Sequence, residues 1–185
     1  MVVGSHILTC DKAIMDTKIL SSTEDITETI LKFYNNVNSR CDGYGITTGT
    51  TLLNESKTIK KIVLNLKSKG VRLRYITEVT AENIRYCKDI MSSIELRHLQ
   101  GVKGGMAVSD TEYITTATIK DNESNPQIFY SNGRQIVEQQ QHIFDILWDK
   151  AIPAEQKILQ IEQGLIPEFV EIIRDPLKSR DIFFK

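Results

Sequence analysis

Apolar residues recur at intervals of three and four along several stretches of the chain, which predicts amphipathic helices. One helix is predicted after Ser22–Thr23, which supply the N-cap, and a second over Ile59–Leu66 ends at Gly70, the residue expected at a left-handed helix terminus. A third helix is predicted after Thr80, and the longest helical run follows Gly133. The first 20 residues show no clean period and are expected to form an irregular arm or a short strand.

Alternation of apolar and polar residues predicts strands between these helices. Val71–Ile76 alternates apolar with basic residues directly after Gly70, so helix, glycine and strand form half of a parallel α/β unit. Two short strands, Met106–Ser109 and Tyr113–Ile119, are predicted around a hairpin turn, and Gln127–Tyr130 is another strand. The pattern indicates a mixed α/β domain.

Two stretches lack a clear period. Asp42–Ile46 contains two glycines and is interpreted as a break after the first helix. Thr47–Thr51 is rich in threonine and is interpreted as strand and loop.

Composition narrows the classes of partner and the compartment. A length of 185 residues with 41% hydrophobic and 25% charged residues supports one globular domain. The net charge of -1 provides no basic surplus for neutralising phosphates, so neither nucleic acid nor an anionic membrane is expected as a partner. No run reaches the roughly 18–20 apolar residues of a spanning helix, and no secretory signal is visible. Cys10, Cys41 and Cys87 are far apart and odd in number, which suits reduced thiols and predicts a cytoplasmic location.

The stretch Lys103–Asp110, KGGMAVSD, carries the most informative pattern. With the turn and predicted strand that follow, it resembles the phospholipase D-like active-site strand, which contains a His-x-Lys-x4-Asp pattern. Lys103 stands where the nucleophilic His belongs, Gly105 where the phosphate-binding Lys belongs, and only Asp110 matches. An aspartate alone can neither replace the nucleophile nor hold a phosphoryl oxygen. We expect a phospholipase D-like scaffold without catalytic activity; the alternative is a plain hairpin whose turn begins with Asp110.

A candidate ligand site is expected where strands end, because open α/β sheets bind ligands beyond the carboxyl ends of their strands. The candidate lining residues are Arg74, Thr77, Glu78, Arg97, His98, Asp110 and Tyr130. Arg74 and Arg72 share one strand face, where they can bind phosphate or pair with acidic neighbours such as Glu78 and Glu82. Arg97 with His98 can clamp an anion, or both can be exposed groups at a strand edge. No zinc spacing or nucleotide loop is present, so neither a metal nor a cofactor is predicted.

Four longer segments resemble the N-terminal input region of archaeal sensor histidine kinases: Gly70–Met91, Glu95–Ile119, Ile128–Ile158 and Ile161–Pro176. In that family the region resembles a degenerate phospholipase D-like domain. The resemblance implies a mixed sheet flanked by helices, with a C-terminal helical extension. It implies three parts: an N-terminal arm at 1–21, a sensory domain at 22–150, and a helical connector with the start of a following module at 151–185.

The function implied by this resemblance is a non-catalytic signal-input domain of a histidine-kinase-type protein, sensing a small ligand or a partner protein. The chain has neither the histidine box nor the ATP-binding boxes of a kinase core, so it is not expected to autophosphorylate. Two alternatives stay open. One is a protein-interaction or homodimerisation module that uses the helix around Ile143–Trp148. The other is the effector domain of an archaeal transcription regulator, where similar folds occur; no helix-turn-helix is apparent, so DNA contact would need another chain.

Overall fold

A computed structural model describes residues 15–116 and 127–165, which form an eight-stranded sheet with helices on both faces. The strands are β1 (Thr17–Leu20), β2 (Arg40–Gly45), β3 (Arg72–Thr77), β4 (Glu95–His98), β5 (Gly105–Ser109), β6 (Tyr113–Thr116), β7 (Ile128–Ser131) and β8 (Ile152–Pro153). The helices are α1 (Thr23–Asn35), α2 (Thr47–Glu55), α3 (Lys57–Ser68), α4 (Ile84–Met91), α5 (Arg134–Lys150) and α6 (Ala154–Glu162). The predicted mixed sheet flanked by helices is confirmed.

The strand order is β1-β7-β6-β5-β2-β3-β4-β8, and the three strands β2, β3 and β4 are parallel neighbours. The other neighbouring pairs are antiparallel. The register sets Gly45 level with Thr77, and Thr77 level with His98. The carboxyl ends of the parallel strands therefore lie side by side, and we call this end of the sheet, defined by Gly45, Thr77 and His98, the rim.

Each face of the sheet has its own apolar core. On one face, which we call the five-helix face, α1, α2 and α3 cover one cluster around Phe33 and Leu66, and α4 and α6 cover another around Cys87 and Ile158. On the opposite face, the α5 face, the single helix α5 packs its buried aromatic residues, Phe144 among them, against the strands. Burial of each large apolar side chain stabilises the fold by about 1.5–3 kcal/mol.

Local signals explain where several helices begin and end. The Ser22 hydroxyl accepts a hydrogen bond from the Asp25 amide at 3.1 Å, so the predicted cap of α1 is confirmed. Gly70 follows the end of α3 and has a φ of +76°, in the left-handed region, as predicted from its position between the helix and the strand. The helix expected after Thr80 begins later, at Ile84, with Asn83 at its N-cap position.

Two sequence interpretations differ from the structure. The stretch interpreted as a break is β2, a central strand, and the stretch interpreted as strand and loop is the helix α2. The glycines of β2 are needed because neighbouring strands approach them closely: a Cβ on Gly45 would stand 2.1 Å from the Tyr75 hydroxyl, and one on Gly43 would stand 2.7 Å from the Met106 carbonyl oxygen. The glycine content of β2 therefore reflects close packing in the sheet rather than a turn.

The described residues do not divide at the predicted boundaries. Thr17–Leu20, assigned to an N-terminal arm, pairs with β7 as an edge strand. Ile152–Pro153 pairs with β4, and Ala154 and Ile158 of α6 are buried against it, so this part of the predicted connector packs as part of the fold. Residues 1–14 and 166–185, including the predicted start of a following module, lie outside the described residues. In the described part, no helix is long and apolar enough to span a bilayer.

Candidate functional site

The rim brings together three of the predicted site residues, Thr77, Glu78 and His98. The Thr77 hydroxyl is fully buried and donates to the Gly45 carbonyl at 2.9 Å, which ties β3 to β2. The buried His98 accepts a hydrogen bond from the Val79 amide at its Nδ1, at 2.9 Å. These two bonds hold the strand ends in fixed positions.

The environment of His98 keeps its imidazole neutral. Burial, helped by the positive charge of Lys157, lowers the pKa of His98 to about 4, and the negative charge of Glu78 opposes this only in part. A neutral ring whose Nδ1 already accepts a backbone hydrogen bond is a structural group near neutral pH. It is not free to clamp an anion with a positive charge.

Glu78 links the loops that surround the rim. One of its carboxylate oxygens accepts from the Gly101 amide at 3.1 Å, and its main-chain carbonyl accepts from the Asn83 side chain at 2.9 Å. The Asn83 side chain in turn accepts from the Thr80 amide at 2.8 Å. Hydrogen bonds therefore hold the loop that follows β3 in place and join it to the loop that follows β4.

The two substituted positions of the active-site pattern also lie at the rim. Gly105 begins β5 and pairs with Gly45, and Lys103 is an exposed residue of the preceding loop. A Cβ on Gly105 would stand 3.0 Å from the Thr116 hydroxyl, which is tight for any side chain. An imidazole nucleophile and a recessed phosphate-binding cation are therefore missing from these two positions.

Arg74 lies under α5 rather than at the rim. Its guanidinium donates to Asp42 from Nε at 2.9 Å and from Nη2 at 2.6 Å, and to Asp145 at 2.7 Å. It also lies over the rings of Phe144 and Trp148, at 4.9 and 5.1 Å from their centroids. The hydrogen bond to Asp42 raises the pKa of Arg74 above its ordinary value, against the effect of burial. The acidic partners suggested from sequence, Glu78 and Glu82, are therefore not those of Arg74.

Arg97 occupies the same face, one strand further out. Its guanidinium lies 4.4 Å from the centroid of the Trp148 ring, and its Nη1 donates to the Trp148 carbonyl at 2.8 Å. Next to it, a cleft of about 430 Å³ opens along the outer edge of β4, bordered by Glu95 and Glu155. Arg97 and His98, consecutive in sequence, thus point to opposite faces of the sheet and do not form a clamp.

Asp110 and Tyr130 lie at the end of the sheet opposite the rim. The Asp110 carboxylate accepts from the Ser39 hydroxyl and from three successive amides, those of residues 38–40, at 3.2, 2.8 and 3.3 Å. The Tyr130 hydroxyl donates to the buried Glu112 at 2.7 Å. Asp110 follows an antiparallel strand, so the end of that strand is on the far side from the rim. The seven candidates therefore occupy three places.

The buried ion pair between Asp42 and Arg74 was not predicted from sequence. Asp42 is fully buried, and it binds Arg74 together with the Gln141 side-chain amide, which donates at 2.8 Å. Asp42 was assigned to a break because Asp next to Gly is typical of turns. The available signal was the placement of Arg72 and Arg74 on one face of a strand, since a half-buried arginine needs a carboxylate partner.

No protein-family model matches this chain, and the comparison with curated proteins returns no match. Solved structures do match. NucT from Helicobacter pylori is 7% identical with a TM-score of 0.61, covering 75% of this chain and 99% of that protein. The phospholipase D family member Nuc from Salmonella typhimurium is 12% identical with a TM-score of 0.58, over 75% and 97% of the two chains.

A third match is TrmBL2, an archaeal chromatin protein with a novel mode of DNA binding. It is 14% identical with a TM-score of 0.56, and the alignment covers 78% of this chain and 56% of TrmBL2, so this chain spans little more than half of that protein's length. The prediction that net charge excludes nucleic acid as a partner is wrong, because this fold occurs in a DNA-binding protein. Taken together, these similarities show that the chain has the phospholipase D-like fold.

Proposed function

We propose that this chain is a non-catalytic effector domain of an archaeal DNA-associated regulator, a phospholipase D-like domain that receives a signal while another segment or another chain contacts DNA. The observation that carries the proposal is the composition of the rim. A lysine on an exposed loop and a strand glycine stand at the two positions that would carry the phosphodiesterase chemistry. A scaffold in this state can bind or transmit but has no imidazole nucleophile there.

The DNA-associated context is supported by the fold that the chain shares with TrmBL2. The net charge of -1 favours DNA contact by another segment or another chain, because this chain has no basic surplus for holding many phosphates. An effector domain does not require such a surplus when DNA is contacted elsewhere. The predicted role as an input domain of a histidine kinase stays a prediction, and it requires the same non-catalytic scaffold.

The catalytic part of the proposal is tested by hydrolysis of bis(4-nitrophenyl) phosphate and of duplex DNA by the purified chain. We expect rates equal to the buffer blank and unchanged by Lys103→Ala. Hydrolysis that falls in the Lys103→Ala protein would contradict a non-catalytic role.

The DNA-associated part is tested in the cells that encode the protein. We expect an epitope-tagged copy, crosslinked and immunoprecipitated, to enrich DNA well above an untagged strain. Absence of DNA enrichment, together with co-purification of a histidine kinase core, would overturn the regulator role in favour of the kinase role.

A further inference from the structure

Two arginines lie side by side at the end of β2 and β3 opposite the rim. Arg40 of β2 and Arg72 of β3 are register partners in the parallel pair. Both point to the α5 face, because they alternate with Cys41 and Leu73, which belong to the core of the five-helix face. Strands are about 4.8 Å apart, and like charges directly opposite each other destabilise a sheet. This end of the sheet, defined by Arg40 and Arg72, is called the arginine end below.

The carboxylates under α5 are already engaged by other donors. Asp42 accepts two hydrogen bonds from Arg74 and one from Gln141, and Asp145 accepts one from each of the same residues. Arg72 approaches Asp42 only to 3.8 Å, beyond hydrogen-bond distance. More than half of the Arg72 side chain is exposed, at 55%. Its guanidinium is therefore available to an incoming ligand.

The other carboxylates at this end are occupied in the same way. Asp110 accepts from the Ser39 hydroxyl and from the main-chain amides of residues 38–40. Oε1 of Glu112 accepts from the Tyr130 hydroxyl and from the Asn36 side chain, whereas its buried Oε2 has no partner among the described residues. In the part of the chain that the structure describes, no carboxylate lies within ion-pair distance of the Arg40 guanidinium.

Two buried polar atoms next to Asp42 have no hydrogen-bond partner among the described residues: Nε of Arg40 and Oε1 of Gln141. Gln141 is only 6% exposed, and its amide nitrogen faces Asp42 and Asp145, so the oxygen is directed away from both carboxylates. One unpaired donor, on Arg40, and one unpaired acceptor, on Gln141, thus remain on the α5 face of the sheet. An oxyanion supplies the acceptors that an unpaired guanidinium lacks.

We propose that Arg40 and Arg72 form a binding site for a small phosphate-type oxyanion, inorganic phosphate or a phosphate monoester. The guanidinium groups donate to its oxygens, and the exposed Arg72 is the group that the ligand meets first. The site is distinct from the rim, because Gly45 is five residues further along β2, roughly 16 Å at 3.3 Å per residue.

A small anion fits this site better than a nucleic-acid backbone. Arg40 is recessed, since its Nε has no solvent access, and only Arg72 reaches outward. Three carboxylates lie on neighbouring parts of the molecule and disfavour an extended polyanion: Asp42 is 3.8 Å from Arg72, Asp145 binds Arg74, and Asp110 accepts from the Arg40 amide. A compact ligand between the two guanidinium groups gains their donors without approaching all three acids.

The proposal does not depend on the DNA-associated role, because binding is measured on the isolated chain. Isothermal titration with inorganic phosphate and with phenyl phosphate, at ionic strength held constant with chloride, is expected to give saturable binding. Arg72→Gln should weaken it about tenfold or more, since a hydrogen bond to a charged group is lost. Arg40→Gln should act similarly, and Arg85→Gln, which removes an exposed arginine on α4, should leave binding unchanged.

The outcomes separate the alternatives. Circular dichroism of Arg72→Gln, whose site is exposed, verifies folding, so this variant decides the test if Arg40→Gln is unstable. Preference for phenyl phosphate over inorganic phosphate identifies a monoester as the ligand, and the reverse preference identifies the free ion; both support the site. The proposal is overturned by the absence of saturable binding, by binding that is equal in Arg72→Gln and Arg85→Gln, or by displacement of phosphate by duplex DNA with a steep salt dependence.

Discussion

The two ends of the parallel strands carry opposite kinds of residue. At the rim, the strand ends are Gly45, Thr77 and a neutral His98, and the side chains of Thr77, His98 and Glu78 hydrogen-bond to main-chain groups there. At the arginine end and beneath α5, buried Asp42 binds Arg74 and lies 3.8 Å from Arg72, while Nε of Arg40 and Oε1 of Gln141 have no partner among the described residues.

On the proposal made above, the rim has a structural role and the arginine end has a role in ligand binding. In the pattern that the chain resembles, the chemistry belongs at the rim, where here Thr77 and His98 are engaged in structural hydrogen bonds. The oxyanion site proposed above lies instead at the arginine end, where Arg72 is exposed beside Arg40. Four substitutions, two at each end, test this contrast from the largest expected effect to the smallest.

The largest effect is expected from Asp42→Ala. Removing a fully buried carboxylate leaves Arg74, whose side chain is only 10% exposed, without its main partner, which costs about 3–5 kcal/mol of unfolding free energy. Urea unfolding measures the loss. Asp145→Ala is the control: its side chain is 46% exposed, so about 1 kcal/mol or less is expected. Equal losses in the two variants would show that Asp42 does not organise the α5 face.

At the rim, Gly45→Ala should destabilise the fold by about 1–3 kcal/mol, because the new methyl group overlaps the Tyr75 hydroxyl. Tyr75→Phe in the same chain removes that hydroxyl and should recover part of the loss in urea unfolding. If the double variant is no more stable than Gly45→Ala, the close contact is not what requires glycine at this position.

Near the arginine end, Asp110→Ala should cost about 1–3 kcal/mol, because three main-chain amides and the Ser39 hydroxyl lose their acceptor. Burial raises the pKa of Asp110, but hydrogen bonds from Ser39 and from the neighbouring amides outweigh it and hold the pKa below the ordinary value. The carboxylate therefore stabilises the fold above the ordinary aspartate pKa, and this contribution disappears as pH falls through the lowered pKa.

Unfolding of wild type and Asp110→Ala near neutral pH and at about pH 3 checks both statements. The gap between the two proteins should narrow in acid. A gap that is independent of pH would mean that the charge of Asp110 plays no part.

The smallest effect concerns the pH dependence contributed by His98. Its pKa is lowered from 6.5 to about 4 in the folded protein, so between these values the unfolded chain binds a proton that the folded chain does not. The contribution of His98 to stability therefore falls as the pH is lowered from 6.5 towards 4. His98→Asn, whose side-chain oxygen can replace Nδ1 as acceptor for the Val79 amide, should flatten this slope.

Thermal unfolding across that range measures the slope, and His142→Asn, at an exposed position of α5, should leave it unchanged. A wild-type slope in the His98→Asn protein would show that another group titrates.

Much of the fold could be predicted from local patterns, because each relies on residues adjacent in sequence. The Ser22 cap, the Gly70 terminus and the β5–β6 hairpin all follow from rules that act within a few residues. The candidate site was less predictable. Rim residues Thr77 and His98 were found because strand ends can be counted, whereas Asp110 was placed with them although its antiparallel strand ends on the other side.

What the sequence determined by itself is most of the amphipathic helices, α2 excepted, and the α/β class. Only the tertiary structure decided that Asp42–Gly45 is a central strand, because Gly45 is explained by Tyr75, 30 residues further along the sequence, and Gly43 by the main chain of Met106. It also decided that Arg40 lies beside Arg72 and that Asp42 binds Arg74 beneath Gln141, almost 100 residues away. Such pairings depend on strand register and on where a distant helix crosses the sheet, and neither can be derived from residues that are adjacent in sequence.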